Sequence, residues 1–160
     1  MKKLLYYTFL VSICFFMSCS DPCDEVNCGA NGQCNEGICL CDDGFEGENC
    51  ETASRDRFLG FWEASVYGCM PGNNPVVNYT LSAAEKPNEI QITTETTPVL
   101  LLIGKVDSTS FEIKSQIQFL GVDVTFYGTG VLENDMLTLE IIRGITPLDE
   151  ITCKGIYFKN

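Results

Sequence analysis

The 160-residue chain contains no histidine. Nucleophilic systems that need an imidazole base, of the Ser-His-Asp or Cys-His kind, are therefore excluded. The chain also has no G-x-G-x-x-G fingerprint and no glycine-rich phosphate loop, so the common nucleotide-binding motifs are missing. Carboxylates are plentiful, but a solvated sheet face explains them better than a glycosidase pair does. We therefore expect a protein that is not an enzyme and binds no cofactor.

Basic residues are scarce. The chain has 10 Lys and Arg against 22 Asp and Glu, a formal net charge of −12, and residues 20–51 carry nine acidic side chains and no basic one. Such a surface repels nucleic acid and anionic lipid, because both carry negative charge themselves. We expect no nucleic-acid partner, and the charge favours a cationic one.

Six of the ten cysteines lie between Cys23 and Cys50. So short a stretch cannot bury a useful apolar core, so something covalent must hold it. Zinc is the alternative to disulfide bonds, but the chain has no C-x2-C pair and no histidine to supply ligands. Disulfide bonds are therefore predicted here, and no metal site.

The cysteine spacing is C-x4-C-x5-C-x4-C-x-C-x8-C, and the last segment reads Cys41-Asp-Asp-Gly44-Phe45-Glu-Gly47-Glu-Asn-Cys50. Both features resemble an EGF-like domain, in which Gly44, Phe45 and Gly47 are structural residues. The resemblance implies three pairs, namely Cys23–Cys34, Cys28–Cys39 and Cys41–Cys50. The glutamate that calcium-binding members carry just before the first cysteine is missing. Asn31-Gly32 is a tight-turn pair, expected between two short strands.

The chain opens with Met1-Lys2-Lys3, and an almost wholly apolar run follows from Leu4 to Met17. This is a secretory signal in form, too short to be a comfortable spanning helix. It ends in Ser18-Cys19, which resembles the lipobox of bacterial lipoproteins. The resemblance implies a lipid on Cys19 that attaches the chain to the membrane, as an outer-membrane lipoprotein of the cell envelope or cell surface. Ordinary cleavage and secretion is the alternative.

After a polar linker at 52–57, alternating apolar residues and turn signals recur to the end of the chain. We count about eight strands. The run from Val99 to Ile103 is expected to be buried on both faces, and Phe111, Ile113 and Ile117 are expected on one face. The fold class is therefore all-β: a small disulfide-rich module followed by an antiparallel meander barrel or flattened barrel. A two-sheet sandwich is the alternative.

Two further cysteines, Cys69 and Cys153, fall in or next to the first and last of these strands. Closure of the meander brings those strands side by side, so we predict a Cys69–Cys153 bridge. Leu59-Gly60-Phe61-Trp62 resembles the G-x-W start of lipocalin-like barrels, in which the Trp plugs one end.

These features divide the chain into a signal peptide (1–18), a lipidated N-terminus with a short tether (19–22), an EGF-like domain (23–51), a linker (52–57) and a lipocalin-like β-barrel domain (58–160). The first functional hypothesis is a lipid-anchored interaction protein with an unknown protein or glycan partner, and with an exposed patch around Phe45 or Tyr67. The alternative is a carrier of a small hydrophobic ligand. Its cavity would be lined by Trp62, Tyr79, Val99, Leu101, Ile113, Phe126 and Leu139.

Overall fold

A computed structural model describes residues 21–69, 77–95, 99–146 and 149–160, with the backbone alone at 65–67 and 69. The N-terminal module contains strands β1 (Gly32–Asn35), β2 (Ile38–Cys41), β3 (Phe45–Glu46) and β4 (Thr52–Ala53), and a 3-10 turn follows at Asp56–Phe58. Three disulfide bonds hold it, between the partners that the EGF-like resemblance implies: Cys23–Cys34, Cys28–Cys39 and Cys41–Cys50.

The tight turn of this module is not at Asn31-Gly32, as expected, but at Glu36-Gly37, where both residues have positive φ, of 53° and 85°. Gly32 instead begins β1. A Cβ on Gly32 would lie 2.5 Å from Sγ of Cys50. The glycine is therefore explained by the close approach of a disulfide sulfur and not by turn geometry.

The rest of the chain forms a closed antiparallel barrel in which β12 pairs with β5. This confirms the predicted all-β fold and the closure of the meander. The strands are β5 (Gly60–Cys69), β6 (Tyr79–Ala83), β7 (Glu89–Thr94), β8 (Leu101–Asp107), β9 (Ser110–Phe119), β10 (Asp123–Glu133), β11 (Met136–Gly144) and β12 (Ile151–Lys159).

The closing strands place Cys153 opposite Cys69 in register. Cys153 is disulfide-bonded. The side chain of Cys69 lies outside the described residues, so the Cys69–Cys153 bridge stays a prediction.

Glycines and aromatic rings fit together inside the barrel. A Cβ on Gly130 would overlap the ring of Phe111, and one on Gly155 would lie 2.5 Å from the ring of Tyr157. The ring of Phe111 also meets that of Phe58 edge to face, with centroids 5.3 Å apart. Because these glycines have no side chain, they leave room for a large ring from a neighbouring strand, as at Gly130, or from two residues further along the same strand, as at Gly155, and such rings fill the interior of a small barrel.

The two ends of the barrel differ. At one end, called here the module end, the disulfide-rich N-terminal module contacts the β6–β7 turn. Nδ2 of Asn88 donates to Oδ2 of Asp43 over 3.0 Å, and an Arg55 guanidinium nitrogen donates to the carbonyl of Ala84 over 2.8 Å. Arg57 forms an ion pair with Glu46. The opposite end, where β8 begins and β9 ends, is called here the mouth.

Two expectations about strand faces were wrong. Strand β8 is not buried on both faces, because only its alternate residues Leu102, Gly104 and Val106 are buried, as a barrel with a solvated outside requires. Ile117 does not share a face with Phe111 and Ile113. The β9–β10 register shifts at a bulge, which gives β9 one residue more than β10 between the paired positions and turns Ile117 outward.

Gly130→Ala is expected to destabilise the barrel by about 1–3 kcal/mol, because the new methyl group overlaps the buried Phe111 ring. Urea unfolding followed by the fluorescence of Trp62, the only tryptophan, measures it. Gly68→Ala is the matched control, since nothing lies within 4 Å of a Cβ there. Equal midpoints for the two variants would show that the interior has room to spare.

Gly44→Ala should destabilise the barrel although Gly44 belongs to the module. Its φ is +91°, and a Cβ would lie 2.8 Å from the backbone nitrogen of Asn88 in the barrel. Gly47→Ala is the control, because its φ is +100° but its Cβ would meet only the movable Glu51 carboxylate. Each carries about 1–2 kcal/mol of backbone strain. Gly44→Ala should therefore lower the unfolding midpoint reported by Trp62 further than Gly47→Ala does, and equal midpoints would mean that the contact of Gly44 with Asn88 does not stabilise the barrel.

Candidate interaction surface

Exposed apolar side chains gather at the mouth. Ile117 and Phe119 are 68% and 76% exposed, which is far outside the range of core residues. Among the residues that the structure describes, this group, called here the apolar rim, consists of Val99, Leu101, Ile117, Phe119, Leu120, Val122 and Ile145. Single exposed apolar residues are ordinary, but a group at one end of a domain is typical of an interaction site.

The β9–β10 hairpin carries most of the rim. After the bulge, the residues that face outward from β9 are Ile117 and Phe119, opposite Thr125 and Asp123 of β10. The turn closes with a hydrogen bond of 2.9 Å from the Leu120 N–H to the Val122 carbonyl, and Gly121 in its centre has a φ of +92°. The hairpin therefore holds its apolar tip in a defined shape without burying it.

Two glutamines join this hairpin to the start of β8. The regular β8–β9 register runs only from Asp107↔Ser110 to Lys105↔Glu112. Beyond it, the side-chain amides of Gln116 and Gln118 hydrogen-bond to the main chain of β8. This contact, called here the glutamine seam, places Leu101 beside the hairpin tip, so the rim continues from β8 to β10.

Charges near the rim are mostly negative. Glu95, Asp123 and Asp149 are exposed at this end, and Arg143 is the basic residue of β11 nearest to it. Hydrogen bonds from the backbone N–H and the hydroxyl of Thr146 hold the pKa of Asp149 below its usual range, so this carboxylate stays ionised to a lower pH than an ordinary aspartate does. An acidic border favours a partner that adds positive charge around an apolar contact.

A second concave surface lies between the module and the barrel wall, with a volume of about 490 Å³. Its barrel side carries a row of opposite charges on adjacent strands, in which Glu89 faces Lys105 and Lys105 faces Glu112. Asp43 of the module borders the same groove. Because the charges alternate and compensate one another, the groove does not select a ligand of one sign, and the rim is the stronger candidate.

The predicted cavity residues do not act as one lining. Trp62, Tyr79, Ile113, Phe126 and Leu139 are buried in the core, where other core side chains pack around them. Val99 and Leu101 were wrongly placed inside: they are 60% and 44% exposed and belong to the rim. Strand alternation is the reason, since Leu102 takes the inward position in β8.

An exposed patch was expected around Phe45 or Tyr67, and for Phe45 this expectation was wrong. Phe45 is half-buried, while Gly44 and Gly47 have the positive φ that their positions in the module require. The side chain of Tyr67 and the whole of Cys19 lie outside the described residues. A sequence signal for the true rim existed in the run Ile117-Gln-Phe119-Leu120-Gly-Val122, which is unusually apolar for a hairpin tip.

No family model matches the sequence. Within the described ranges, no helix is long and apolar enough to cross a membrane. Over the same ranges, His, Cys, Asp and Glu residues form no group of three or more that could hold a metal ion.

Replacing both Ile117 and Phe119 by Thr should change the free energy of unfolding by less than about 0.5 kcal/mol per site, because both side chains are mainly in water. Phe126→Ala, at a 4% exposed position opposite Gln116 in the same hairpin, should cost about 3–5 kcal/mol. Urea titrations measure both. A large loss of unfolding free energy in the Ile117 and Phe119 variant would mean that the rim stabilises the fold.

Proposed function

We propose that this chain is a non-catalytic binding protein of the cell envelope, attached to the membrane through a lipid on Cys19, which presents the apolar rim to a protein partner. The observation that carries the proposal is the rim itself. Within the described ranges, seven apolar side chains are exposed to water at one end of a barrel whose interior is filled by others. Exposing them is unfavourable unless a partner covers them.

The position of the rim supports attachment at the other end. Only three residues, 20–22, separate Cys19 from Cys23, so a lipid on Cys19 would hold the EGF-like module close to the membrane. The module packs on the β6–β7 turn through Asn88, at the module end of the barrel. The rim is at the mouth, so the length of the barrel strands separates it from the attachment point.

The chemistry of the rim favours a protein over a glycan. Six of its seven members are aliphatic, and the buried centres of protein interfaces are similarly apolar. The net charge of −12 and the acidic border supply complementarity to a surface with Lys and Arg around an apolar centre.

The proposal predicts that partner binding needs the rim and no other apolar surface. The full-length protein, displayed on beads, is exposed to detergent-solubilised envelope proteins. Proteins specific to the rim should be retained by the wild type and lost with the Ile117→Thr, Phe119→Thr variant. We expect the affinity to fall at least tenfold, as it does when central interface residues are truncated.

Phe158→Thr and Ile38→Thr are the matched controls. Both remove an exposed apolar side chain, 47% and 71% exposed, the first in β12 at the module end and the second in the module. They should retain the same proteins as the wild type. An identical retained set for all variants would overturn the proposal.

A further inference from the structure

The glutamine seam covers main-chain groups that a neighbouring strand usually binds. Oε1 of Gln116 accepts from the Ile103 N–H at 2.9 Å, and its Nε2 donates to the Ile103 carbonyl at 2.6 Å. Gln118 bonds in the same way to the N–H and carbonyl of Leu101. Four polar groups on one edge of β8 are thus satisfied by side-chain amides where the β8–β9 ladder has ended.

These four groups have the spacing of an open strand edge. Leu101 and Ile103 are two residues apart, and in an extended strand such residues point their main-chain groups to the same side. On its other edge β8 pairs with β7, where Leu102 lies opposite Ile92. The edge toward β9 is therefore shaped to accept an extended chain, and it is occupied by two flexible side chains.

We propose that the partner binds by strand addition: an extended peptide segment displaces the amides of Gln116 and Gln118 and hydrogen-bonds to the main chain of Leu101 and Ile103. This inference rests on the proposed function and names the form of its partner. Each hydrogen bond from a glutamine side-chain amide is replaced by a hydrogen bond from the main chain of the peptide, so no group on this edge of β8 is left unpaired. The released glutamines are half-buried at the mouth, where water can take up their hydrogen bonds.

The rim supplies the side-chain contacts of such a complex. Leu101 projects outward from β8, and Ile117 and Phe119 project outward from β9 on the other side of the seam. The outward side chains of an added strand, at every second position, would lie between these two apolar walls. The segment should therefore alternate apolar residues with others.

The charge of the chain decides between a foreign segment and a second copy. Two copies would bring two net charges of −12 together, with Asp123 at both contacts. A segment that carries Lys or Arg at the positions between its apolar residues is attracted by the negative charge of this protein. We therefore assign the seam to a basic, alternating segment of another protein.

The test uses the purified full-length protein and a synthetic probe, the blocked peptide Lys-Val-Lys-Val-Lys-Val-Lys. Two further probes have the same side chains but carry a methyl group on every second backbone nitrogen. One is methylated at the odd-numbered residues and the other at the even-numbered ones. Strand addition needs N–H donors along one edge, whereas apolar contact alone does not. At least one methylated probe should bind tenfold or more weakly than the parent, and equal binding of all three would overturn the inference.

Amide hydrogen exchange gives a second readout at the site itself. The parent peptide should slow exchange at the Leu101 and Ile103 N–H groups at least tenfold. Gln116→Ala with Gln118→Ala should bind it more tightly, since the competing amides are gone, and Trp62 fluorescence checks that this variant is folded. Lack of binding by the parent, or binding without protection at these two residues, overturns strand addition. The proposed function fails separately, if the Ile117→Thr, Phe119→Thr variant retains the same envelope proteins as the wild type.

Discussion

Pairing of β12 with β5 is the interaction on which the rest of the structure depends. It joins the first and last strands of the meander, with Lys159 opposite Trp62 near one end and Cys153 opposite Cys69 near the other. Closure removes the open edges that a sheet of this size would expose to other chains. It also fixes which side of every strand faces inward. The edge of β8 at Leu101 and Ile103 is covered by side chains and not by a paired strand, so it departs from the strand-to-strand pairing of the rest of the barrel. We explain this departure by a function in binding.

The interior shows why the chain can close at this size. Phe111 lies over Gly130, and Tyr157 lies over Gly155, so large rings fill space that glycines leave. The indole N–H of Trp62 donates to the Phe58 carbonyl over 2.7 Å, which fixes the ring at the module end. Among the described residues, the mouth has more exposed apolar side chains than the module end of the barrel, a difference that fits the attachment at one end and recognition at the other that we propose.

Sequence alone predicted much of this fold, because the signals concerned are local or topological. Cysteine spacing indicated the module, and alternation with turn residues indicated eight strands and their closure. The rim was missed for a physical reason: a bulge of one residue reverses the faces of a strand, and no residue type marks it in advance. Ile117 was therefore assigned to the same face of its strand as Phe111. Val99 and Leu101 were placed inside because a continuous apolar run is typical of a strand buried on both faces, and an apolar interaction surface produces the same pattern.

The bulge connects these observations. By shifting β9 by one residue, it turns Gln116 and Gln118 toward the side that Phe126 and Val124 occupy on β10, and it turns Ile117 and Phe119 outward. One local irregularity thus produces both the amide-covered edge and the apolar wall beside it. Without the bulge, the glutamines would face solvent and the apolar residues would join the core, which is the arrangement that simple alternation predicts. The unfavourable exposure of the rim and the unusual hydrogen bonding of the seam therefore have a common origin, and a single binding event that uses both would account for both.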